Sequence, residues 1–199
     1  MNIVTQCIQE RYDLAVDTLK ETDLQSKFYI DKNKEGCLKS FGYMLNNYST
    51  DDYRLHLQDD IIFADNLKSY LPKLKAYMQN KEIHLLSIFA PNRKLILQQY
   101  KEGKTIVPFP NYLWLQASIF SPRFQSILKK EYNNLNDDTI KDDDVFVAYV
   151  LKKYNIKAYV HLPSLVQHNT EIKSSLGHAN SKIRESKVFD KNYITNLKK

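Results

Sequence analysis

The sequence predicts a single α/β domain built around a mostly parallel sheet. Short apolar runs alternate with amphipathic stretches along most of the 199 residues, as in chains made of βα units. The hydrophobic fraction is 43% and the charged fraction 26%, which is typical of an ordered globular chain. Only 4 glycines occur and no internal repeat is found, so little linker material and no domain boundary are expected.

The order of the elements in the first half favours parallel pairing. Apolar runs predict strands at residues 2–8, 28–30, 53–57 and 83–89. Amphipathic spacing predicts the intervening helices at residues 11–22, 37–48 and 67–78. Because each helix connects one strand to the next, the sheet is expected to be parallel here and flanked by helices.

The second half is less regular. Pro91, Pro108 and Pro110 predict a looped middle region. Residues 114–120 and 158–162 predict two further strands.

Two helices are expected in this half. Ser121 followed by Pro122 is typical of a helix start, with the serine as cap and the proline in the first turn. Residues 142–154 predict the other helix. Its expected core residues are Val145, Tyr149 and Leu151.

The chain carries a formal net charge of +6 and a pI of about 9.1. This balance suits an anionic partner such as a nucleotide, nucleic acid or membrane surface, although many lysine-rich chains bind none. We expect one domain over residues 1–178, with residues 179–199 as a basic tail that either extends from the domain or belongs to it. The lysines of this tail are Lys182, Lys187, Lys191, Lys198 and Lys199.

Cys7 and Cys37 have neither the spacing of a metal site nor that of a disulfide framework. Buried free thiols in a reducing compartment are the simpler interpretation. No apolar run approaches the roughly 18 residues of a membrane span, and the first residues do not resemble a signal peptide. We therefore expect a cytoplasmic protein.

The strongest candidate site is Gln58-Asp59-Asp60, between two apolar runs. Acids at the end of a parallel strand lie at the edge where open α/β sheets bind ligands. Buried carboxylates need compensation, and a divalent cation is a suitable one. A solvated turn whose aspartates cap the next element is an equally simple alternative.

Asp142, Asp143 and Asp144 form a second acidic cluster, at the start of a predicted helix. A carboxylate there is stabilised by the helix dipole and can cap free N–H groups. Capping does not need all three acids. A remaining carboxylate is well placed to accept a proton from a substrate hydroxyl.

The third candidate is His168, after residues 162–167, followed by Lys173, Ser174 and Ser175. A single histidine is more often structural than a ligand. The serines near Lys173 could bind phosphate oxygens, or they could belong to an ordinary loop.

In this order the segments resemble the nucleotide-sugar glycosyltransferases of the GT-A fold, a single Rossmann-like domain. In that superfamily a strand ends in an acidic triplet, and Gln58-Asp59-Asp60 is similar to it. A downstream acidic pair that opens a helix corresponds to Asp143-Asp144. The segment 163–168 followed by Ser174-Ser175 is similar to the C-terminal part of several such families. Gln58 departs from the pattern, because it replaces the usual first acid.

The resemblance implies roles for these residues. Asp60 and His168 would bind Mn²⁺ or Mg²⁺, and Asp144 or Asp143 would act as the base of an inverting transfer. The residues implied to bind the donor, a UDP-sugar by preference, are Arg11, Asp31, Gln58, Asp59, Lys173, Ser174 and Ser175. Aromatic side chains stack on sugars and bases, so the residues implied to line the acceptor cleft are Trp114 and an exposed Tyr112.

The acceptor is the least defined partner. Compact basic chains of this type resemble glycosyltransferases of bacterial viruses, some of which modify hydroxymethylated pyrimidines in DNA. The net charge, the basic tail and Arg93-Lys94 fit such an acceptor. A surface glycan or a small molecule is the alternative acceptor. A nucleotidyltransferase and a non-catalytic DNA-binding module are the alternative functions. The sequence does not indicate an oligomeric state.

Overall fold

Strands and helices alternate along the chain in the computed structural model, which describes residues 1–110, 112, 114–137, 139–172 and 185–197. The strands within these ranges are β1 (Asn2–Ile8), β2 (Lys27–Asp31), β3 (Arg54–Gln58), β4 (Ile61–Phe63), β5 (Leu85–Ser87), β6 (Ile106–Pro108), β7 (Ala117–Phe120), β8 (Ala158–His161) and β9 (Val166–His168). The α-helices are α1 (Tyr12–Glu21), α2 (Cys37–Asn47), α3 (Leu67–Asn80), α4 (Lys94–Lys101), α5 (Pro122–Asn133), α6 (Asp143–Lys153) and α7 (Tyr193–Asn196).

Seven strands form one mixed sheet in the order β2-β1-β3-β7-β5-β8-β6, and β4 pairs with β9 in a separate two-stranded sheet. The strands β1, β2, β3, β5 and β8 run in one direction, and β7 and β6 run against them. The predicted α/β class with a mostly parallel sheet is therefore confirmed. The antiparallel β6 lies inside the region that the sequence predicted to be a loop.

The strand order reverses at β1. The chain passes from β1 through α1 to β2 on one side, then through α2 to β3 on the other side. Open α/β sheets form a crevice at such a reversal, beyond the carboxyl ends of the strands. The ends of β1, β2 and β3 meet at this edge, and the antiparallel β7 begins there.

The two faces of the sheet carry separate apolar clusters. Buried residues of α2, α5 and α6 cover one face, with Phe41, Phe124 and Phe146 fully buried there. Helices α1 and α3 cover the other face, where Leu19 and Met78 are buried. The result is a three-layer α/β/α arrangement in which the sheet is buried on both sides, as expected for parallel strands.

Helix α2 contains a glycine at its contact with α5. A methyl group at Gly42 would overlap the ring of Tyr132 from α5. Glycine inside a helix costs about 1 kcal/mol relative to alanine. The close approach of Tyr132 favours a glycine at this position, because a larger residue would have to displace the tyrosine ring.

The buried residues of α6 differ in part from the predicted core residues. Val145 and Tyr149 are 39% and 40% exposed, so their prediction as core residues is wrong, whereas Leu151 is buried as expected. The buried positions are Asp143, Phe146, Val147, Val150 and Leu151. This set follows helical spacing. It also brings the first acid of the helix onto the buried face.

Other differences concern short elements. Helix α4 and strands β4, β6 and β9 were not predicted, because three-residue strands and an eight-residue helix give little periodicity. The predicted start of α5 is confirmed, since Ser121 Oγ accepts a hydrogen bond from the Phe124 N–H at 3.2 Å.

The described part of the basic tail packs on the domain. Val188 and Ile194 are buried in the two apolar clusters, and Phe189 forms a β-bridge with Ser164. None of the helices in the described ranges combines the length and apolar character that crossing a bilayer requires.

Candidate functional site

A cleft of about 520 Å³ opens at the edge where the strand order reverses. It lies beyond the carboxyl ends of β1, β2 and β3. Its described lining includes most of the residues singled out in the sequence: Arg11, Asp31, Gln58, Asp59, Asp60, Trp114, Asp142, Asp143 and Asp144. Residues that are distant in sequence therefore meet at the place predicted for a ligand.

The acid pair after β3 is held by an arginine from the turn after β1. Arg11 Nη1 donates to Asp59 Oδ1 at 2.9 Å and to Asp60 Oδ2 at 3.1 Å. All three side chains are at most 10% exposed. Arg11 thus contacts the acids themselves, and its guanidinium supplies part of the compensation that buried carboxylates need.

Asp59 also connects the end of β1 to the turn after β3. Its Oδ2 accepts the backbone N–H of Ile8, the last residue of β1, at 2.9 Å. Burial raises the pKa of Asp59, and the Ile8 N–H and the Arg11 guanidinium oppose that rise. The carboxylate therefore fixes the end of β1 relative to the turn that carries Asp60.

His168 reaches the acid pair from β9. Its strand pairs with β4 so that His168 lies opposite Ile61, and its Nε2 is 3.2 Å from Asp60 Oδ2. Neither ring nitrogen has a hydrogen-bond partner among the described residues, and the side chain is 1% exposed. A buried imidazole nitrogen this close to a carboxylate oxygen is compatible with two ligands of one metal ion.

The donor chemistry of this pair fits a divalent cation in part. Two ligand atoms each about 2.1 Å from one Mg²⁺ lie about 3 Å apart when they subtend a right angle, close to the observed Asp60–His168 separation. Within the described ranges, no group of three or more His, Cys, Asp or Glu side chains is arranged to hold a metal. Substrate phosphates and water would have to complete the coordination, as they commonly do for Mg²⁺.

Asp31 holds the loop between β2 and α2. Its carboxylate accepts the N–H groups of Glu35 and Gly36 at 3.0 and 3.1 Å and the Ser40 hydroxyl at 3.2 Å. Gly36, with a φ of +101°, lets the chain turn into the helix. Asp31 lines the cleft as expected, and these hydrogen bonds fix the loop before α2.

The acids of α6 face the cleft in different ways. Asp143 is 4% exposed, and its Oδ1 accepts the Asp144 N–H at 2.8 Å. Burial, and next the charge of Asp144, raise the pKa of Asp143 to about 7. Asp142 is the N-cap residue, without a side-chain capping bond. The Asp143 carboxyl, at the buried first position of α6, is therefore the one whose pKa lets it exchange a proton near neutral pH.

Tyr112 does not face the cleft. It is 2% exposed, and its hydroxyl is 2.7 Å from Ser118 Oγ. The expectation that Tyr112 is an exposed aromatic residue is wrong, because Phe109 and the sheet enclose its ring. Trp114 does line the cleft. Lys173, Ser174 and Ser175 lie outside the described residues.

Several lining residues were not singled out in the sequence. These are Gln6, Cys7, Ile8, Glu10, Lys34, Gly36, Cys37, Ser40, Leu115 and Gln116. Polar Gln6 inside an otherwise apolar strand, and Gln116 just before another, were the available signals. That these glutamines line the cleft follows only from the strand order, which places β1 and β7 beside β3.

The cleft is acidic although the chain is basic. Seven carboxylates and two cations occur among its described lining residues. The cations are Arg11 and Lys34, and Lys34 pairs with Glu10 at 2.7 Å. An anionic ligand would therefore need additional positive charge to enter.

No protein-family model matches the chain, and no curated protein matches it by sequence. Among solved structures, a Bacillus anthracis protein described as a glucose-1-phosphate thymidylyltransferase, in complex with sucrose, matches over 96% of this chain and 98% of its own, with 10% identity and a TM-score of 0.49. A UDP-glucose pyrophosphorylase with bound UDP-glucose matches over 80% of this chain and 72% of its own, with 7% identity and a TM-score of 0.44. S. aureus TarS matches over 82% of this chain and 58% of its own, with 12% identity and a TM-score of 0.46. Likenesses at this level carry no functional assignment, so the function is argued from the cleft itself.

Proposed function

We propose that this chain transfers a sugar from a nucleoside diphosphate sugar to a hydroxyl acceptor with the help of a divalent cation. One observation carries the proposal. The Asp59–Asp60 pair, which the buried His168 contacts from behind, and the buried Asp143 line one cleft at the carboxyl edge of the sheet. The first group suits a diphosphate with its cation, and the second suits a hydroxyl that must lose a proton.

The charge of the cleft explains why a cation is part of the proposal. A diphosphate brings further negative charge to a lining with seven carboxylates and two cations. Asp60 and His168 would hold Mn²⁺ or Mg²⁺, and Asp59 would keep Asp60 in place through Arg11 and Ile8. When bound, the cation would neutralise charge on the departing nucleoside diphosphate.

The transfer itself needs a base. In the proposed reaction the acceptor hydroxyl gives its proton to a carboxylate as its oxygen attacks the anomeric carbon. The bond between that carbon and the diphosphate oxygen breaks, and the nucleoside diphosphate leaves. Asp143 is the favoured base, because its burial places its pKa near neutrality. Asp144 also lines the cleft and is the second candidate. A single displacement of this kind inverts the anomeric centre.

The donor is proposed to be a UDP-sugar. Its nucleoside would lie toward Asp31 and the loop that Asp31 holds, with Gln58 and Arg11 on the side of the acid pair. Trp114 is proposed to face the acceptor.

A hydroxymethylated pyrimidine in DNA is one proposed acceptor, supported by the net charge of +6. The acidic cleft adds a condition, because DNA phosphates would have to stay outside it, against basic surface such as Lys187 and Lys191. Transfer to DNA should then weaken steeply with salt, whereas transfer to a free sugar should not. If neither salt nor charge reversal at these two lysines changes the activity, the DNA acceptor is dropped in favour of a glycan or a small molecule.

Calorimetry tests the function directly. Uridine and guanosine diphosphates are titrated into the protein with Mn²⁺ and with EDTA. We expect cation-dependent binding of at least one of them. Binding of neither would remove the proposal and favour a non-catalytic module. Release of pyrophosphate from a nucleoside triphosphate and a sugar phosphate would instead identify a nucleotidyltransferase.

A further inference from the structure

Three glutamines lie side by side across the floor of the cleft. Gln6 of β1 and Gln58 of β3 are register partners in the parallel pair. The Gln58 N–H donates to the backbone carbonyl of Gln116, the residue before β7, at 2.9 Å. All three side chains line the cleft. We call Gln6, Gln58 and Gln116 the amide row.

The amide row lies between the two acidic groups. Gln58 directly precedes the Asp59–Asp60 pair. At the Gln6 end of the row, Gln6 Nε2 donates to the Cys37 carbonyl at 3.1 Å, and Cys37 Sγ is 3.5 Å from Asp142 Oδ1 at the start of α6. A group seated on this row would therefore lie between the proposed diphosphate position and the proposed base.

Buried polar atoms around the row have no hydrogen-bond partner in the described structure. They are Gln6 Oε1, Gln116 Oε1, Trp114 Nε1 and Asp143 Oδ2, and Gln116 is only 5% exposed. Leaving such an atom unsatisfied costs about 1–3 kcal/mol, so native structures contain few of them. All four residues line the same cleft, so one ligand could satisfy these buried atoms once the side chains turn toward it.

The chemistry of these atoms defines that ligand. Two amide oxygens accept hydrogen bonds, and an indole N–H donates one. Hydroxyl groups match both kinds, since each can donate and accept. The row itself carries no charge, and carboxylates lie beside Gln58 and near Gln6, so a further carboxylate on the ligand would be repelled.

We propose that the amide row, with Trp114, binds the sugar ring of the donor and selects neutral hydroxylated sugars over sugars that carry a carboxylate. This inference rests on the proposed function, because it assigns the sugar part of that donor. It names Gln6, Gln116 and Trp114 as residues that determine sugar specificity.

Calorimetry with Mn²⁺ on the full chain tests the inference. The titrants are uridine, guanosine and thymidine diphosphates, the glucose conjugate of each, and UDP-glucuronate. Gln116→Leu removes one polar group with little change in shape, and Trp114→Phe removes the indole N–H while keeping a smaller aromatic ring. Gln98→Leu, at an exposed amide of α4 that pairs with Glu102, is the matched control.

We expect the wild type to bind a glucose conjugate at least about tenfold more tightly than the glucuronate. Gln116→Leu and Trp114→Phe should each weaken the glucose conjugate by about fivefold to tenfold, with the bare diphosphate changed by less than about twofold. Gln98→Leu should leave both unchanged.

The results that would contradict this inference differ from those that would contradict the proposed function. Equal weakening of the diphosphate and its glucose conjugate, or no weakening of the conjugate in either variant, overturns the inference and leaves the proposed function standing. Binding of no diphosphate and no conjugate by the wild type overturns both. Trp114→Phe keeps the test decisive if Gln116→Leu does not fold.

Discussion

His168 Nε2 lies 3.2 Å from Asp60 Oδ2, so the small sheet of β4 and β9 meets the main sheet at one carboxylate. The contact joins residues that are more than one hundred positions apart in sequence. It depends on the pairing of β9 with β4, which places His168 opposite Ile61. The predictions below follow from this contact and from the acids around it.

Asp60→Asn and His168→Ala are each expected to lower Mn²⁺-dependent binding of a nucleoside diphosphate by about tenfold to 100-fold, because each removes one donor of the proposed cation. Transfer should be lost in both variants. Titration of Mn²⁺ in the presence of the diphosphate measures the effect, with circular dichroism as the folding control. Full transfer by Asp60→Asn would rule out its assigned role.

Arg11→Met should destabilise the protein by about 3–5 kcal/mol, since Asp59 and Asp60 lose a buried cation. Mn²⁺ should raise the melting temperature of this variant more than that of the wild type, because the ion and Arg11 contact the same carboxylate. Arg11→Lys is the charge-conserving control. An equal Mn²⁺ effect in all three proteins would show that the ion binds elsewhere.

The pH dependence of transfer should follow Asp143. If Asp143 acts as the base, activity rises with pH through about 7, as its carboxyl loses a proton. The ionisable groups that face it are Asp142 and Asp144 on its own helix, Cys37 from α2 and Tyr112 from the segment before β7.

Asp143→Asn should lower kcat by about 100-fold or more and remove that pH step. Asp144→Asn is the comparison at the neighbouring acid. A kcat unchanged by Asp143→Asn but abolished by Asp144→Asn would move the role of base to Asp144.

The free energy of unfolding of the wild type should decrease as the pH rises toward the raised pKa of Asp143. The pKa of Asp143 is raised in the folded state from an ordinary value of 3.8 to about 7. The folded protein therefore holds a proton that the unfolded chain has released, and stability declines between these two pH values and then levels off. Asp143→Asn lacks this decline, which urea unfolding at several pH values will show. Parallel pH curves for the two proteins would contradict the raised pKa.

The sequence predicted the position of Asp59 and Asp60 at a strand end on the ligand-binding edge of the sheet, because two acids between apolar runs are a strong local signal. It predicted β1, α1, α2 and α3 for a similar reason, since each is long enough to show its period.

Other features depend on tertiary pairing. The buried face of α6 was predicted wrongly, because the exposed Val145 and Tyr149 are as apolar as the residues that are buried. The amide row could not be seen, since Gln6, Gln58 and Gln116 become neighbours only through the strand order.

Asp31→Ala should destabilise the protein by about 1–2 kcal/mol, because the Glu35 and Gly36 N–H groups lose their acceptor. The same variant tests whether Asp31 also contacts the nucleoside. Ser40→Ala, which removes from Asp31 only the hydrogen bond of the Ser40 hydroxyl, serves as a milder control. Diphosphate affinity that falls no more in Asp31→Ala than in Ser40→Ala would assign Asp31 to the loop alone.

The contact between Gly42 and Tyr132 has a consequence for how this protein tolerates change. Gly42 is not among the described residues that line the cleft, yet any larger residue there would have to displace the Tyr132 ring or separate α2 from α5. The start of α2 carries Cys37, which contacts both Gln6 and Asp142. A saturation screen for activity should thus recover Gly42 as an intolerant position, and its intolerance would report the spacing of two helices rather than any step of the chemistry.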